Sequence, residues 1–240
     1  MPDDCVNKNT IHQNKVELIG FYGSDETHAM SAWTSTNRDL DVIEANGKKR
    51  RERIPALLAQ LAQAEPVPHR SPFEKSCLHF LVNTDIATHI HLIKHRIGVS
   101  VNGESARYKE LKEDKFYVPA DWPTPWQEAL EKHMQASYDL YHQCMKDLPT
   151  RGFSKKRAKE SARFFLPYAN QIQADVMFNF TSFVNFQIQR NEEHAQDEVH
   201  EVARLMFKHV VASQLFTHSI AAWAPRVKAF NDYITTGNFT

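Results

Sequence analysis

The chain has 240 residues and a mass of 27.7 kDa, which fits one domain because single hydrophobic cores stop growing at about 250–300 residues. Its 42% hydrophobic and 24% charged residues are typical of a globular protein and argue against long disordered segments. The 29 basic and 29 acidic side chains cancel, which excludes a generally basic protein that binds nucleic acid or an anionic membrane through bulk charge.

Glycine and cysteine usage excludes several further kinds of site. The 7 glycines form neither a GxG nor a GxxxxGK[ST] arrangement, so a phosphorylated ligand would be held by side chains or helix ends. Cys5, Cys77 and Cys144 are too few and too scattered for a disulfide framework or a Cys-rich zinc site. The amino terminus is acidic and polar, where a signal peptide would be basic and then apolar, and no apolar run approaches the ~20 residues of a membrane span. We expect a cytoplasmic protein.

In chain order, the first hundred residues predict two strands and several helices. We predict a strand Val16–Tyr22, a helix ending at Trp33, a basic solvated loop Asn46–Arg53, a helix Ile54–Ala64, a helix beginning at Ser71 that contains Cys77, a short strand Phe80–Val82, and a helix Ile86–Lys94.

The rest of the chain predicts longer helices around one strand that alternates clearly. We predict a loop from Arg96 to Tyr108, a short strand Phe116–Val118, helices Trp126–Met145 and Ser154–Leu166, a strand Gln171–Phe180, and helices Ser182–Gln189 and His194–Ser213. The pattern predicts an α+β protein, residues 1–240 forming a single domain with its core at about 16–216. A mixed or antiparallel sheet would be flanked by long helices.

The segment from His91 to Tyr108 carries the densest concentration of chemical groups. Lys94, His95 and Arg96 precede a loop with hydroxyl groups and a further arginine, Arg107. Cations, hydroxyls and free backbone N–H groups favour an anion site, and the planar fork of arginine suits a nucleotide phosphate. A surface loop with ordinary salt bridges remains the alternative.

Other polar clusters allow two interpretations each. On a continuous helix, Arg190, His194 and Glu198 would share one face, either as a site or as a charged surface. His89 and His91 have spacing that hints at a metal, but on a helix they point about 200° apart, so we predict no metal site. The cysteines lack a basic neighbour in sequence, which makes nucleophilic catalysis by a thiolate unattractive.

Four segments together resemble the flavin-dependent thymidylate synthase family. KHRIGVSVNGESARY (Lys94–Tyr108) is similar to its Arg-His-Arg signature followed by Ser and Arg-Tyr. HRSPFEK (His69–Lys75), ARFFLP (Ala162–Pro167) and NFTSFVNFQIQRNEEHAQDE (Asn179–Glu198) are similar to its remaining motifs, in the same order.

The resemblance implies a homotetrameric enzyme that converts dUMP to dTMP. Methylenetetrahydrofolate would donate the carbon and NADPH-reduced FAD the hydride, with each site shared between subunits. The residues implied to contact FAD are His69, Ser71, Lys94, His95, Arg96, Asn179, Thr181 and Asn185. Those implied to hold dUMP are His91, Lys94, Glu104, Ser105, Ala106, Arg107, Arg163 and Arg190, with Arg190 as the catalytic group.

Arg190 fits that role because a permanent cation beside the O2/N3 edge of uracil would stabilise the negative charge that makes carbon 5 nucleophilic. Three positions depart from the family pattern: Lys94 replaces an arginine, Lys75 a histidine, and Thr181 an arginine found in some members. One additional loop residue leaves open whether Gly103 or Glu104 takes the acidic position.

Two alternative functions remain open at this stage. A dUMP hydroxymethylase would use the same binding residues. A non-catalytic module that binds nucleotides or nucleic acid would use the basic runs Lys48–Arg53 and Lys155–Arg163 and would hold no flavin.

Overall fold

A computed structural model describes residues 13–36 and 51–239 of the protein. The strands are β1 (Lys15–Tyr22), β2 (Cys77–Asp85), β3 (Val99–Gly103) and β4 (Gln171–Phe178). The helices are α1 (Asp25–Thr34), α2 (Ile54–Ala62), α3 (Ile86–Leu92), α4 (Thr124–Thr150), α5 (Lys155–Ala162), α6 (Phe180–Arg190), α7 (Asp197–Ser213), α8 (Thr217–Trp223) and α9 (Lys228–Thr236). Cys5 and most of the predicted basic loop at 46–53 lie outside the described residues.

The four strands form one sheet in the order β1-β2-β4-β3, which confirms the predicted α+β class. In β4 the side chains of Ala174, Val176 and Phe178 are buried and Gln173 is exposed, as the alternation predicted, but Gln171 on the polar side is buried as well. No helix among the residues with described coordinates is both long and apolar enough to cross a membrane.

Three predictions between residues 71 and 108 were wrong. Ser71 begins a single 3-10 turn, Ser71–Glu74, instead of a helix. Cys77 lies in β2, which is longer than the predicted strand. The prediction was too short because apolar Cys77 and Leu81 on the outer face of β2 hide the alternation between its two faces. The predicted loop from Arg96 to Tyr108 contains β3, whose β-branched Val99 and Val101 favour a strand.

The predicted shared face of Arg190, His194 and Glu198 was also wrong. Helix α6 ends at Arg190 and α7 begins at Asp197, so the three side chains do not lie on one helix. The short strand at 116–118 is reduced to a single bridge between Phe116 and Asn170.

By its internal contacts the chain divides into two compact units. The first unit holds the described residues up to Lys15 together with Asn83–Leu92 and Asn102–Ala174. The second holds the described residues within Val16–Val82, Ile93–Val101 and Asp175–Thr240. The prediction that residues 1–240 form one domain stays a prediction.

In the first unit, α4 packs against α5 and supports the loop that follows β3. Phe116, Val118, Met134 and Tyr138 form its buried apolar cluster. The Leu111 backbone N–H donates to the Tyr141 hydroxyl at 3.0 Å, which ties the loop to α4.

The core of the second unit is built from aromatic rings. Phe178 and Phe183 contact each other edge to face at 6.2 Å, and Phe207 stacks on Phe230 at 4.6 Å. Such pairs contribute about 0.5–1.5 kcal/mol each beyond the area that they bury. Helix α6 supplies several of these rings, so its position in the second unit is fixed on its apolar side.

A buried polar network crosses this aromatic core. His28 is fully buried, with Nδ1 2.9 Å from Ser219 Oγ and Nε2 2.8 Å from Ser76 Oγ. Ser219 Oγ donates to Asp25 Oδ1 at 2.6 Å. Burial lowers the pKa of His28 to about 3 and raises the pKa of Asp25.

The lowered pKa of His28 makes the stability of the protein depend on pH. In the unfolded chain the imidazole takes up a proton near pH 6.5, whereas in the folded protein it stays neutral down to about pH 3. The free energy of unfolding that His28 supplies is complete above about pH 6.5 and is lost as the pH falls toward 3, by at most about 1.4 kcal/mol per pH unit.

Urea unfolding of the wild type and of His28→Gln at about pH 7, 5.5 and 4 measures this loss. We expect the stability advantage of the wild type to shrink as the pH falls. The exposed His133→Gln change on α4 is the control and leaves the wild-type profile unchanged. A difference between wild type and His28→Gln that is the same at all three pH values would contradict this assignment.

Candidate functional site

The second unit contains a cavity of about 480 Å³, which we name the Arg190 pocket. It is lined by Lys94, His95, Arg96, Ile97, Val99, Ser182, Asn185, Gln189 and Arg190. Three cationic side chains therefore face one volume with amide and hydroxyl groups, and none of these lining residues is acidic. Such a donor set fits an anionic group.

The loop that carries Lys94, His95 and Arg96 is fixed by the first turn of α6. Asn179 caps this helix, since its Oδ1 accepts from the Ser182 N–H at 2.8 Å. The Asn179 N–H donates to the Gly98 carbonyl at 3.1 Å, and Ser182 Oγ donates to the Ile97 carbonyl at 2.6 Å. Gly98 has a φ of +65°, and because it has no Cβ the side chains of Asn179 and Ser182 can approach its backbone closely.

Arg190 and His95 contact each other in the Arg190 pocket. The guanidinium Nε–H donates to His95 Nε2 at 3.1 Å, so His95 is an acceptor at Nε2 and its ring is neutral in this arrangement. The edge of Phe186 packs against the imidazole with ring centroids 4.9 Å apart. This contact uses Nε of Arg190 and orients the guanidinium within the pocket.

Thr181 and Asn185 share a neighbour that sequence reasoning missed, Arg70. Thr181 Oγ1 donates to the Arg70 carbonyl at 3.1 Å, and Arg70 Nη1 donates to Asn185 Oδ1 at 2.7 Å. Arg70 also lies 5.6 Å from the Trp223 ring centroid. His69 and Ser71, which flank Arg70, are exposed. Ser182 and Gln189 were missed as well, although both lie inside the quoted motif at 179–198.

A second cavity, of about 250 Å³, lies in the first unit, and we name it the Ser105 pocket. It is lined by Ile86, Glu104, Ser105, Ala106, Leu111, Arg163, Leu166, Asn170 and Ile172. Four predicted site residues therefore share one cavity, whereas Lys94 and Arg190 belong to the other unit. Its mixture of apolar walls and polar groups is typical of a small-molecule site.

Two predicted arginines of the first unit, Arg107 and the pocket-lining Arg163, contact Glu160 on α5. Arg107 donates to Glu160 Oε1 from Nη2 at 3.1 Å and from Nε at 3.3 Å. Arg163 Nε donates to the Glu160 carbonyl at 3.2 Å. His91, on α3, is half-buried and belongs to the first unit as well.

The described residues form no metal cluster, and the thiol of Cys77 is a poor nucleophile. Burial raises the pKa of the Cys77 thiol, which lowers its thiolate fraction. His89 has a buried Nδ1 without a hydrogen-bond partner, and burial lowers its pKa. Within 13–36 and 51–239, no three His, Cys, Asp or Glu side chains are grouped as metal ligands.

Comparisons with known proteins match most of this chain to one family. A family model described as thymidylate synthase complementing protein matches residues 17–214. A flavin-dependent thymidylate synthase of Pseudothermotoga lettingae is 30% identical over 215 residues, covering 87% of this chain and 86% of that protein. The enzyme of the same name from Kosmotoga olearia is 28% identical over 212 residues, covering 80% of this chain and 83% of that protein.

The fold has solved counterparts. A UMP/dUMP methylase from Streptomyces cacaoi, crystallised with 5-Br UMP, superimposes with a TM-score of 0.72 at 23% identity. The match covers 90% of this chain and 96% of that one. This likeness supports the α+β architecture.

The close approach at Gly98 yields a stability prediction. A Cβ at this position would lie 2.3 Å from Ser182 Oγ and 2.4 Å from Asn179 Nδ2, so Gly98→Ala disrupts the contact between the loop and α6. We expect a loss of at least about 3 kcal/mol in the free energy of unfolding, from clash and backbone strain together.

Gly152→Ala is the matched control, because Gly152 also has a positive φ of +90° but has no atom within 4 Å of its would-be Cβ. Gly152→Ala should lower the free energy of unfolding only through the strain of the left-handed backbone, by about 1–2 kcal/mol. Equal losses in the two variants, measured by denaturant unfolding, would show that the contact with α6 is unimportant.

Proposed function

This chain belongs to the thymidylate synthase complementing protein family, and on that premise we propose that it methylates dUMP to dTMP. The carbon donor would be 5,10-methylenetetrahydrofolate, and the hydride would come from FAD reduced by NADPH. Membership of a family of enzymes decides against the alternative of a non-catalytic nucleotide-binding module. The observation that carries the proposal is the Arg190 pocket, where cations and amides face one cavity without a lining carboxylate.

We assign FAD to residues of the second unit. The pyrophosphate would be held by Lys94 and Arg96, the two exposed cations of the loop. Around them, the proposed FAD contacts are His69, Ser71, His95, Asn179, Thr181 and Asn185. The Oδ1 atoms of Asn179 and Asn185 already accept hydrogen bonds from the protein, so their Nδ2 groups are the donors offered to the cofactor. When bound, the reduced flavin supplies the hydride of the reaction.

We assign dUMP to residues of both units, namely His91, Lys94, Glu104, Ser105, Ala106, Arg107, Arg163 and Arg190. Arg107 and Arg163 would hold the phosphate, because both residues are exposed and both guanidinium groups contact Glu160. Ser105 would bind the nucleotide and would not act as a nucleophile, since a lone serine without a base is a poor nucleophile.

Arg190 would activate the uracil ring by electrostatics. His95 engages only Nε of the guanidinium in the contact described above, so we assign the Nη groups to the pyrimidine O2/N3 edge. There the permanent cation stabilises the negative charge that develops as carbon 5 becomes nucleophilic. This needs no covalent enzyme adduct, in agreement with the raised pKa of the half-buried Cys77 thiol.

We further propose that the protein is a cytoplasmic homotetramer whose active sites are shared between subunits. This assembly would bring residues of one subunit's first unit and another subunit's second unit to a common substrate. Mass analysis of the nucleotide product distinguishes dTMP from the hydroxymethylated nucleotide of the alternative reaction.

Arg190→Ala tests the proposed chemistry. We expect the purified wild-type protein to be yellow, to bleach with NADPH, and to release tritium from dUMP labelled at carbon 5 when the folate is present. Arg190→Ala should lower kcat for this release by about 10²–10³-fold, the usual cost of removing one group that stabilises developing charge.

Arg151→Ala is the control, because Arg151 forms an exposed ion pair with Asp147 in the first unit. It should retain wild-type kcat. If Arg190→Ala releases tritium as fast as the wild type, Arg190 does not activate the base.

Subunit mixing tests the shared site. Arg107→Ala and Arg190→Ala each remove one cation of the proposed dUMP site and lie in different units. Homotetramers of either variant should have little activity, whereas tetramers reassembled from both should regain part of it in sites that combine two intact halves. Light scattering reports the oligomeric state. Mixtures that stay as inactive as the separate variants would place all of the dUMP contacts within one subunit.

A further inference from the structure

Glu160 lies among three arginines of the first unit. Its Oε1 accepts from Arg107 at 3.1 and 3.3 Å, and its Oε2 lies 3.8 Å from Arg157 Nη1. Its backbone carbonyl accepts from Arg163 Nε at 3.2 Å. One residue therefore contacts both arginines to which we assign the nucleotide phosphate.

The contact with Arg107 engages the part of the guanidinium that phosphate would need. Nε and one Nη form the edge of the fork that binds two oxygens at once, and both donate here to the same carboxylate oxygen. A phosphate that binds Arg107 through this edge must first displace Glu160. The Glu160 side chain is only 21% exposed, so its charge stays near the arginines and is incompletely screened by solvent.

We propose that Glu160 is an internal competitor of the nucleotide phosphate and sets the affinity of the enzyme for dUMP. This rests on the assignment of Arg107 and Arg163 to the phosphate in the proposed function. Substrate and product carry the same 5′-phosphate, so the competition weakens both and favours release of dTMP. Glu160 thereby acts on phosphate binding and not on the chemistry at the base.

The loop that carries Arg107 does not depend on Glu160 alone. Lys159 Nζ donates to the Tyr108 carbonyl at 3.1 Å, and the Glu104 N–H donates to the Gln173 carbonyl at 2.7 Å. Removing the charge of Glu160 therefore frees the guanidinium while the backbone of the loop stays attached. A purely orienting role for Glu160 predicts the opposite result, since Arg107 would then lose its alignment and bind phosphate less well.

Calorimetric titration of Glu160→Gln with dUMP, deoxyuridine and inorganic phosphate tests the competition. Glutamine keeps the shape and an acceptor oxygen but removes the charge. We expect the Kd for dUMP and for inorganic phosphate to fall by about three- to tenfold, in line with the strength of a partly exposed ion pair. The Kd for deoxyuridine, which has no phosphate, should not change.

Glu128→Gln, an exposed change on α4 outside this cluster, is the control and should bind all three compounds like the wild type. Glu160→Ala should tighten dUMP binding in the same direction as Glu160→Gln, and the melting temperature of each variant shows that it is folded. An unchanged or higher Kd for dUMP and phosphate in both folded Glu160 variants overturns the proposal.

Inorganic phosphate separates this proposal from the proposed function. If dUMP fails to bind the wild type but phosphate binds more tightly to Glu160→Gln, the competition stands and the assignment of dUMP falls. If dUMP binds and is methylated but no variant at Glu160 gains affinity, only the competition falls. If neither dUMP nor inorganic phosphate binds the wild type or any variant, the competition is also overturned.

Discussion

The candidate site of the second unit depends on one contact, the close approach of the loop backbone at Gly98 to the first turn of α6. Two hydrogen bonds there link the carbonyls of Ile97 and Gly98 to Ser182 and Asn179. The aromatic residues of α6 fix that helix in the core, so the contact attaches a short polar loop to a rigid part of the protein. Lys94, His95 and Arg96 are thereby held beside Arg190, at a place where mutual repulsion would otherwise spread the cations apart.

The proposed binding arginines have different partners in the two units. In the Arg190 pocket the lining is free of carboxylates, and neutral His95 accepts from the guanidinium. In the first unit an acidic side chain sits directly on Arg107. An anion that enters the Arg190 pocket meets no lining carboxylate, whereas a phosphate that binds Arg107 must replace the carboxylate of Glu160. The same residue type therefore offers different net binding energy in the two units, because its existing partner differs.

Regular periodicity allowed much of the fold to be predicted. Strand β4 and the long helix α4 were recognised because one face of each is uniformly apolar over many residues. Strand β2 was mistaken in part for a helix, because Cys77 and Leu81 place apolar groups on both faces, and β3 is too short to establish a period. The motifs identified the segments of the site, but contacts over long sequence separations, such as Arg70 with Asn185 or Arg107 with Glu160, have no local signal. The break between α6 and α7 was predicted, since the predicted helices end at Gln189 and begin at His194, close to the observed Arg190 and Asp197.

Zero net charge with clustered cations has a kinetic consequence. At physiological ionic strength charges are screened over about 8 Å, and this protein has no surplus charge to extend an attractive field beyond that distance. A nucleotide therefore meets Lys94, Arg96 or Arg107 by ordinary diffusion and is attracted only within the last water layers. The association rate of the nucleotide would then vary little with salt concentration. The protein would distinguish among anions through their dissociation rates.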